Sequence, residues 1–152
     1  MRLLRKSAPF SLWSLLALVL MLGSLLALAV THALFSTAPL AIAVQCLAFA
    51  LMLWARITFG RRSFHAGANS TAGGLVTTGP YRYIRHPIYT AACLFGWAGV
   101  LANESVSAAL LGLILFFSAL GRMLCEERLL INHYPQYREY AIATKRMIPG
   151  VF

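Results

Sequence analysis

Two carboxylates stand side by side near the end of the last long apolar stretch, and an arginine precedes them by one helical turn. The chain has four Asp or Glu residues against 13 Lys or Arg, so the pair Glu126 and Glu127 is conspicuous. Arg122 and Glu126 are four residues apart and therefore share one face of a helix. Ionisable groups at membrane depth normally face a protein interior or a polar cavity. Arg122 and Glu126 are therefore candidates for a site, whereas for Glu127 and Arg128 we favour an ion pair or a helix end that meets water.

A second chemical pattern, rich in glycine and tyrosine, leads into a His-Pro pair at residues 86 and 87. Gly73 and Gly74 permit backbone conformations closed to other residues and let a ligand approach the main chain. Pro87 suits the first position of a helix, so we expect a helix to begin there with His86 as its cap. The positive end of that helix would attract an anion such as a carboxylate.

The same segment has a simpler interpretation. Tyr81, Tyr83 and Tyr89 could form an aromatic belt at the membrane interface, with Arg82 and Arg85 beside lipid phosphates. Composition alone favours this second interpretation.

The elements that must position these residues are membrane helices. The chain is 60% hydrophobic and 11% charged, whereas a soluble domain is about 25% charged, and its length allows one domain. Residues 7–55 lack any Asp, Glu, Lys or Arg, a run too long for one crossing of about 20 residues. We therefore predict an all-α integral membrane protein of two helical hairpins, with spans at 9–31, 38–57, 87–102 and 106–125. A cytoplasmic loop, 60–86, and a cytoplasmic tail, 126–152, complete it, the tail carrying a short interfacial helix around 135–144.

The charges predict the orientation of these spans. All 13 basic residues fall on one side of the predicted bundle, and the turns on the other side carry Glu104. This positive-inside pattern predicts that both termini are cytoplasmic. The net charge of +9 then needs no nucleic-acid partner to explain it. Cys46, Cys93 and Cys125 fall in predicted helices at spacings that suit no metal motif, and we expect them to be buried, reduced packing residues.

The stretch 75–89, read together with Glu126-Glu127 and the tyrosine-containing tail, resembles the signature of the isoprenylcysteine carboxyl methyltransferase family and the related phospholipid methyltransferases. The resemblance covers residues 60–149. It implies an integral membrane methyltransferase whose S-adenosylmethionine is enclosed between residues 73–89 and the tail. It assigns Arg122 to the substrate or to catalysis. The positions it assigns to the cofactor are Gly73, Gly74, Leu75, Val76, Tyr81, His86, Pro87, Ile88, Tyr89 and Glu126.

Three departures from the family pattern bear on the methyl acceptor. Gly73 stands where the family often has histidine, Ala91 where it commonly has glycine, and Tyr134-Pro135 where it usually has Phe-Gly. A carboxylate acceptor is already ionised at neutral pH and needs no base, and Arg122 could hold it. We therefore expect a lipid-like acceptor that arrives from the bilayer and carries a carboxylate.

Three other functions remain open. One is methylation of a phospholipid amine, for which Arg122 could not serve as the base. Another is a membrane reductase that uses NADPH, whose extra phosphate would need cations. The last is a non-catalytic membrane protein or assembly factor. The cations available to the reductase would be Arg61, Arg62, Arg82 and Arg85.

Overall fold

The computed structural model describes residues 8–60 and 74–152, and this part of the chain is all helical. A short 3₁₀ turn, Gly79–Arg82, precedes the third helix. Within the described residues, the only strand-like feature is an isolated bridge between Ile84 and Lys145. The five helices are α1, Ala8–Val30, α2, Pro39–Phe59, α3, Pro87–Asn103, α4, Val106–His133, and α5, Tyr137–Ala143.

Prolines and turns define most helix ends where the sequence predicts them. Pro39 and Pro87 occupy the first turns of α2 and α3, where a missing N–H has no cost. The predicted span 106–125 lies within α4, and the helix itself continues to His133. The amide of Tyr134 still donates to Leu130 O at 2.8 Å, and Pro135 is the first residue that cannot continue the helix. Glu126 and Glu127 therefore lie inside α4.

In the part of the chain that the structure describes, three helices are long and apolar enough to cross a membrane: Leu12–Val30, Pro39–Phe59 and Val106–His133. The chain thus has the character of an integral membrane protein. α3 has 17 residues, about 25 Å of helix, somewhat less than the roughly 30 Å of a hydrocarbon core. The fourth predicted span stays a prediction.

The helices pack in the order α1, α4, α3, α2, so the chain neighbours α1 and α2 lie at opposite edges of the bundle. Close approach depends on glycines in α3. A Cβ atom on Gly99 would lie 2.1 Å from Leu34 O, and one on Gly96 would lie 2.4 Å from a methyl carbon of Leu115. The contact of Gly99 is with main-chain atoms, so glycine is required where α3 meets the α1–α2 turn, whereas the Leu115 methyl group near Gly96 lies at the end of a side chain that can move.

The ends of the bundle differ in chemistry. The end that carries the turns 31–38 and 104–105 is closed by an apolar cluster. Near it the buried amide of Gln45 donates to Leu34 O at 2.6 Å. The opposite end brings together the start of α1, the end of α2, the start of α3 and the last turns of α4. The chemistry predicted from the sequence lies at this second end. The members of the apolar cluster are Leu28, Ala33, Leu34, Val100 and Ala108.

Candidate functional site

Tyr89, Arg122 and Glu126 form one connected group between α3 and α4. The Tyr89 hydroxyl donates to Glu126 Oε1 at 2.6 Å and accepts from Arg122 Nε at 2.6 Å. Arg122 Nε also lies 3.2 Å from the same Glu126 oxygen. Arg122 is 4% exposed, whereas the Glu126 side chain is 23% exposed. The carboxylate of Glu126 is thus held through Oε1, and its side chain stays partly exposed.

The first helix contributes directly to this group. Arg122 Nη1 donates to the carbonyl oxygen of Ser14 at 3.0 Å and lies 3.2 Å from the Ser14 hydroxyl oxygen. Ser14 is fully buried and lies 108 residues from Arg122 in the sequence. The guanidinium group therefore joins α1, α3 and α4 at one point, and its orientation depends on all three helices.

Glu127 is the centre of a second, separate charge cluster. Its Oε1 atom lies 2.9 Å from Arg85 Nε and 3.2 Å from His86 Nε2, and its Oε2 atom lies 3.0 Å from Arg146 Nε. The ion pair expected for Glu127 is confirmed, but its carboxylate is buried instead of meeting water. Arg128, the next residue along α4, is exposed.

The C-terminal segment after α5 is bound against the residues that precede α3. The amides of Arg85 and His86 donate to Lys145 O and Arg146 O at 2.7 and 2.9 Å. Arg85 Nη1 donates to Ala141 O at 2.7 Å and also contacts Thr144 O. The Thr90 hydroxyl lies 3.2 Å from Met147 O. We call residues 144–147 the strap, and it covers the start of α3.

An open recess of about 510 Å³ lies at the end of α2 and is lined by residues 58–60 and 75–78. Leu75 and Val76, both predicted to contact a cofactor, belong to its wall. Gly79 has a φ of 57°, and a Cβ atom there would lie 2.5 Å from the Thr58 hydroxyl oxygen. Glycine is therefore required where this loop meets α2.

Tyr81 connects the recess with the rest of the site. Its ring lies 5.4 Å from that of Phe59, and its carbonyl accepts from the Tyr140 hydroxyl at 2.6 Å. Burial raises the pKa of Tyr81, and the nearby charges of Glu126 and Arg56 act on it in opposite directions. Tyr81 therefore contacts Phe59 of the recess wall on one side and Tyr140 of α5 on another.

The structure brings some of the sequence-predicted site residues together and separates others. His86 is the N-cap residue of α3, as expected, but its side chain makes no cap hydrogen bond and faces Glu127. Pro87 is fully buried and Ile88 partly so. Gly74 begins the described part of the loop, and Gly73 lies outside the described residues. The recess wall contains neither Glu126 nor His86, so the predicted residues form two adjoining regions.

Sequence reasoning missed Ser14, Arg146 and the central place of Glu127. A signal for Glu127 existed in the composition. The chain has four acidic residues, and a buried Arg-His pair needs one of them as a counter-charge. No local signal marks Ser14, which is a serine within an apolar helix. Arg85, considered above as a cation for a cofactor phosphate, is already bound to Glu127 and to main-chain carbonyls. Arg61 and Arg62 lie outside the described residues.

None of the cysteines belongs to the site, and the described residues form no metal-binding cluster. Cys93 is buried and Cys125 partly buried, but Cys46 is exposed, so the expectation of three buried cysteines is wrong for Cys46. Cys46 lies on the apolar α2, where an exposed side chain faces away from the bundle. Among the residues that the structure describes, no three His, Cys, Asp or Glu side chains are grouped to hold a metal ion.

Comparison with known proteins identifies relatives of this chain. The cobalt-zinc-cadmium resistance protein CzcN of Cupriavidus metallidurans is 36% identical over 78 residues, 49% of this chain and 35% of the relative. The nickel-cobalt-cadmium resistance protein NccN of Alcaligenes xylosoxydans xylosoxydans is 38% identical over 87 residues, 55% of this chain and 39% of the relative. The match thus spans well under half the length of each of these proteins. No solved structure matches the chain significantly.

The family itself is established by a longer match. The sequence profile of the phospholipid methyltransferase family matches residues 36–137, from the turn before α2 to the first residue of α5. This range contains Tyr89, Arg122, Glu126 and Glu127 and leaves out α1 and the strap. The resemblance noted from the sequence is confirmed: the chain belongs to the phospholipid methyltransferase family, which includes the membrane methyltransferases that resemble isoprenylcysteine carboxyl methyltransferase.

Proposed function

We propose that the protein uses S-adenosylmethionine to methylate a lipid-like acceptor, and that the acceptor atom is a carboxylate oxygen. The observation that carries the proposal is the state of Glu126. Both of its described contacts, with Tyr89 and Arg122, are made by Oε1. Oε2 is then available to a ligand, and the partial exposure of the side chain gives a ligand access to it.

The residues present fit the parts of this cofactor. A carboxylate oxygen of Glu126 suits an ammonium group or a ribose hydroxyl. The apolar wall formed by Leu75 and Val76, with the aromatic rings of Phe59 and Tyr81 beside it, suits a flat base. The recess has a volume within the roughly 300–1,000 Å³ usual for ligand pockets. When bound, S-adenosylmethionine supplies an electrophilic methyl group on a sulfonium.

The chain's own residues would align the acceptor and exclude water. Methyl transfer is an in-line displacement, so positioning supplies much of the rate. Arg122 neutralises Glu126 in part, and its guanidinium group would orient an anionic acceptor by exchanging one of its present contacts. Tyr89 fixes the distance between these two charges. A carboxylate acceptor needs no proton removed, so no base is required.

We assign the site to the cytoplasmic face of the membrane, with both termini on that side. The basic residues of the loop and tail carry this assignment, since cytoplasmic segments are rich in Lys and Arg. We also assign α3 as a fourth span, because it packs between α2 and α4. The acceptor would then reach Arg122 from the bilayer.

Binding of S-adenosylhomocysteine to the purified protein in detergent tests the cofactor. We expect saturable binding by calorimetry, and about ten-fold weaker binding by Glu126→Gln, which loses a charged hydrogen bond. Glu139→Gln is the matched control, because Glu139 is exposed on α5. Failure of the wild-type protein to bind would reject the methyltransferase proposal. Equal binding by wild type and Glu126→Gln would reject the role of Glu126.

The chemical class of the acceptor is tested with extracted membrane lipids and a labelled methyl donor. A methyl ester releases labelled methanol in mild alkali, whereas a methylated amine keeps its label. We expect alkali-labile product. Alkali-stable label in phospholipid would instead support amine methylation, the other activity that the family includes.

A further inference from the structure

A serine of α1 contacts the group formed by Tyr89, Arg122 and Glu126. Arg122 Nη1 donates to the Ser14 carbonyl oxygen at 3.0 Å and lies 3.2 Å from the Ser14 hydroxyl oxygen. The carbonyl belongs to the main chain, so any residue at this position would supply it. The hydroxyl is what serine itself adds, and the residue is fully buried. A substitution can therefore remove the hydroxyl contact and leave the main-chain contact in place.

The position of Ser14 on α1 follows from a helical repeat. The buried residues of this helix recur at intervals of three or four, which places them on one face, and this face packs against α4. Ser24, the other serine of the face, donates its hydroxyl to Met21 O of its own helix at 2.8 Å. Ser14 instead meets a charged group of another helix. The residues of the face are Ser14, Ala17, Met21, Ser24 and Leu28.

Two anchors fix the plane of the Arg122 guanidinium group. Its Nε atom donates to the Tyr89 hydroxyl at 2.6 Å and lies 3.2 Å from Glu126 Oε1, whereas Nη1 is held by Ser14. A guanidinium group is planar, and its N–H groups have a fixed fork geometry. One anchor would let the group turn about that contact, while anchors at two nitrogens determine its plane. If an acceptor replaces one contact at Nε, the anchor at Nη1 remains.

We propose that Ser14 is a positioning residue, which holds the Arg122 guanidinium group in the plane that aligns the acceptor carboxylate with the transferred methyl group. This assignment rests on the proposed function. The family profile matches residues 36–137, so the contact comes from a helix outside the matched range. Ser14 acts through Arg122 rather than by touching the cofactor or the acceptor. Cofactor affinity, which we assign to Glu126, should therefore not depend on the Ser14 hydroxyl.

The test measures transfer of a labelled methyl group from S-adenosylmethionine to extracted membrane lipids by the purified protein in detergent. We expect Ser14→Ala to lower the rate at saturating S-adenosylmethionine about ten-fold, because a misdirected guanidinium group aligns the acceptor poorly. The KM for S-adenosylmethionine and the affinity for S-adenosylhomocysteine should keep their wild-type values. Ser14→Thr retains the hydroxyl and should recover most of the rate.

Ser24→Ala is the matched control. It removes a buried serine hydroxyl from the same face of α1, about 15 Å from Ser14 along the helix axis. Its rate and its affinity for S-adenosylhomocysteine should equal those of the wild type. A loss of rate in Ser24→Ala as large as that in Ser14→Ala would overturn the assignment, because it would show that α1 responds alike to any lost hydroxyl.

Four further outcomes are decisive. A wild-type rate for Ser14→Ala would overturn the assignment. Equal losses of rate and of cofactor affinity would also overturn it, because a general disturbance of the bundle changes both. An equally low rate for Ser14→Thr, with a wild-type midpoint of thermal unfolding, would show that the hydroxyl is not the responsible group. Absence of methyl transfer by the wild-type protein would instead reject the proposed function, and with it the role of Ser14.

Discussion

The Nε atom of Arg85 lies 2.9 Å from Glu127 Oε1, and each side chain is 8% exposed. This contact joins the residue just before the His-Pro pair to the last turns of α4. The same guanidinium group binds the Ala141 carbonyl beyond it, so one side chain connects the loop, the long helix and the tail. The pair therefore helps to fix the orientation of α4 in which Glu126, the preceding residue, contacts Tyr89 and Arg122.

Replacing Glu127 by Gln should lower the free energy of unfolding by about 3 kcal/mol, because it leaves the buried guanidinium group of Arg85 and the partly exposed one of Arg146 without their counter-charge. Gln has nearly the same volume, so packing is preserved. The midpoint of thermal unfolding in detergent measures the effect. Glu139→Gln, on the exposed face of α5, should unfold like the wild type. An unchanged midpoint for Glu127→Gln would contradict the central role given to this carboxylate.

Arg85→Lys should release the strap while keeping the positive charge. Lys cannot donate to a carboxylate and to main-chain carbonyls in the planar geometry that a guanidinium group provides. The amides of Arg85 and His86 donate to the strap, so their hydrogen exchange reports its docking. We expect exchange to be about ten-fold faster in Arg85→Lys, which corresponds to roughly 1.4 kcal/mol less protection.

The control for this experiment is Arg82→Lys, at an exposed arginine three residues earlier. Its exchange should equal that of the wild type. Equal exchange in Arg85→Lys and Arg82→Lys would show that the Arg85 side chain does not hold the strap.

The parts of this architecture that the sequence predicts are those with a local cause. Pro39 and Pro87 mark helix starts because their rings suit a first turn, and the charge-free run up to residue 55 indicates two membrane helices. The predicted fourth span ends at residue 125 because charged residues begin there, while the helix itself continues to His133. The residues that carry these charges stay helical because the strap and α3 supply partners for their side chains. Such partners are determined by tertiary structure.

The site shows the same division between local and distant causes. Arg122 and Glu126 could be paired from their spacing of four residues, and the structure places them 3.2 Å apart. Ser14 and Arg146 were missed because they come from the start of α1 and from the chain's last turn. Nothing in a single sequence shows which serine of an apolar helix meets an arginine more than 100 residues away.

Gly99→Ala should destabilise the bundle, because its methyl group would overlap the carbonyl oxygen of Leu34. Forcing one extra carbon into a packed contact costs roughly 1–3 kcal/mol. Gly23→Ala is the matched control, since a Cβ atom there has nothing within 4 Å and alanine favours helix by roughly 1 kcal/mol. We expect opposite shifts of the thermal midpoint. Shifts in the same direction would mean that α3 does not approach the α1–α2 turn so closely.

A double-mutant cycle tests whether Tyr89 and Glu126 act as one unit. Tyr89→Phe removes the hydroxyl that bridges Arg122 and Glu126, and we expect about ten-fold weaker binding of S-adenosylhomocysteine. The double variant Tyr89→Phe/Glu126→Gln should bind little worse than Glu126→Gln alone, because loss of the carboxylate charge already weakens the hydrogen bond that Tyr89→Phe removes. Additive losses would show that the two residues contribute independently. Tyr83→Phe, at an exposed tyrosine, controls for the chemical change.

Alkaline pH should weaken the attachment of the tail through Tyr140. Burial raises the pKa of Tyr140 from its ordinary 10.0 to about 12. An unfolded chain therefore loses this proton at lower pH than the folded protein, so the contribution of Tyr140 to stability is complete below pH 10 and is lost as the pH approaches 12. We expect the thermal midpoint of the wild type to fall more steeply over this interval than that of Tyr140→Phe, which has no phenol to ionise. Parallel pH profiles would show that Tyr140 ionises alike in both states, and that its hydrogen bond to the Tyr81 carbonyl does not depend on burial.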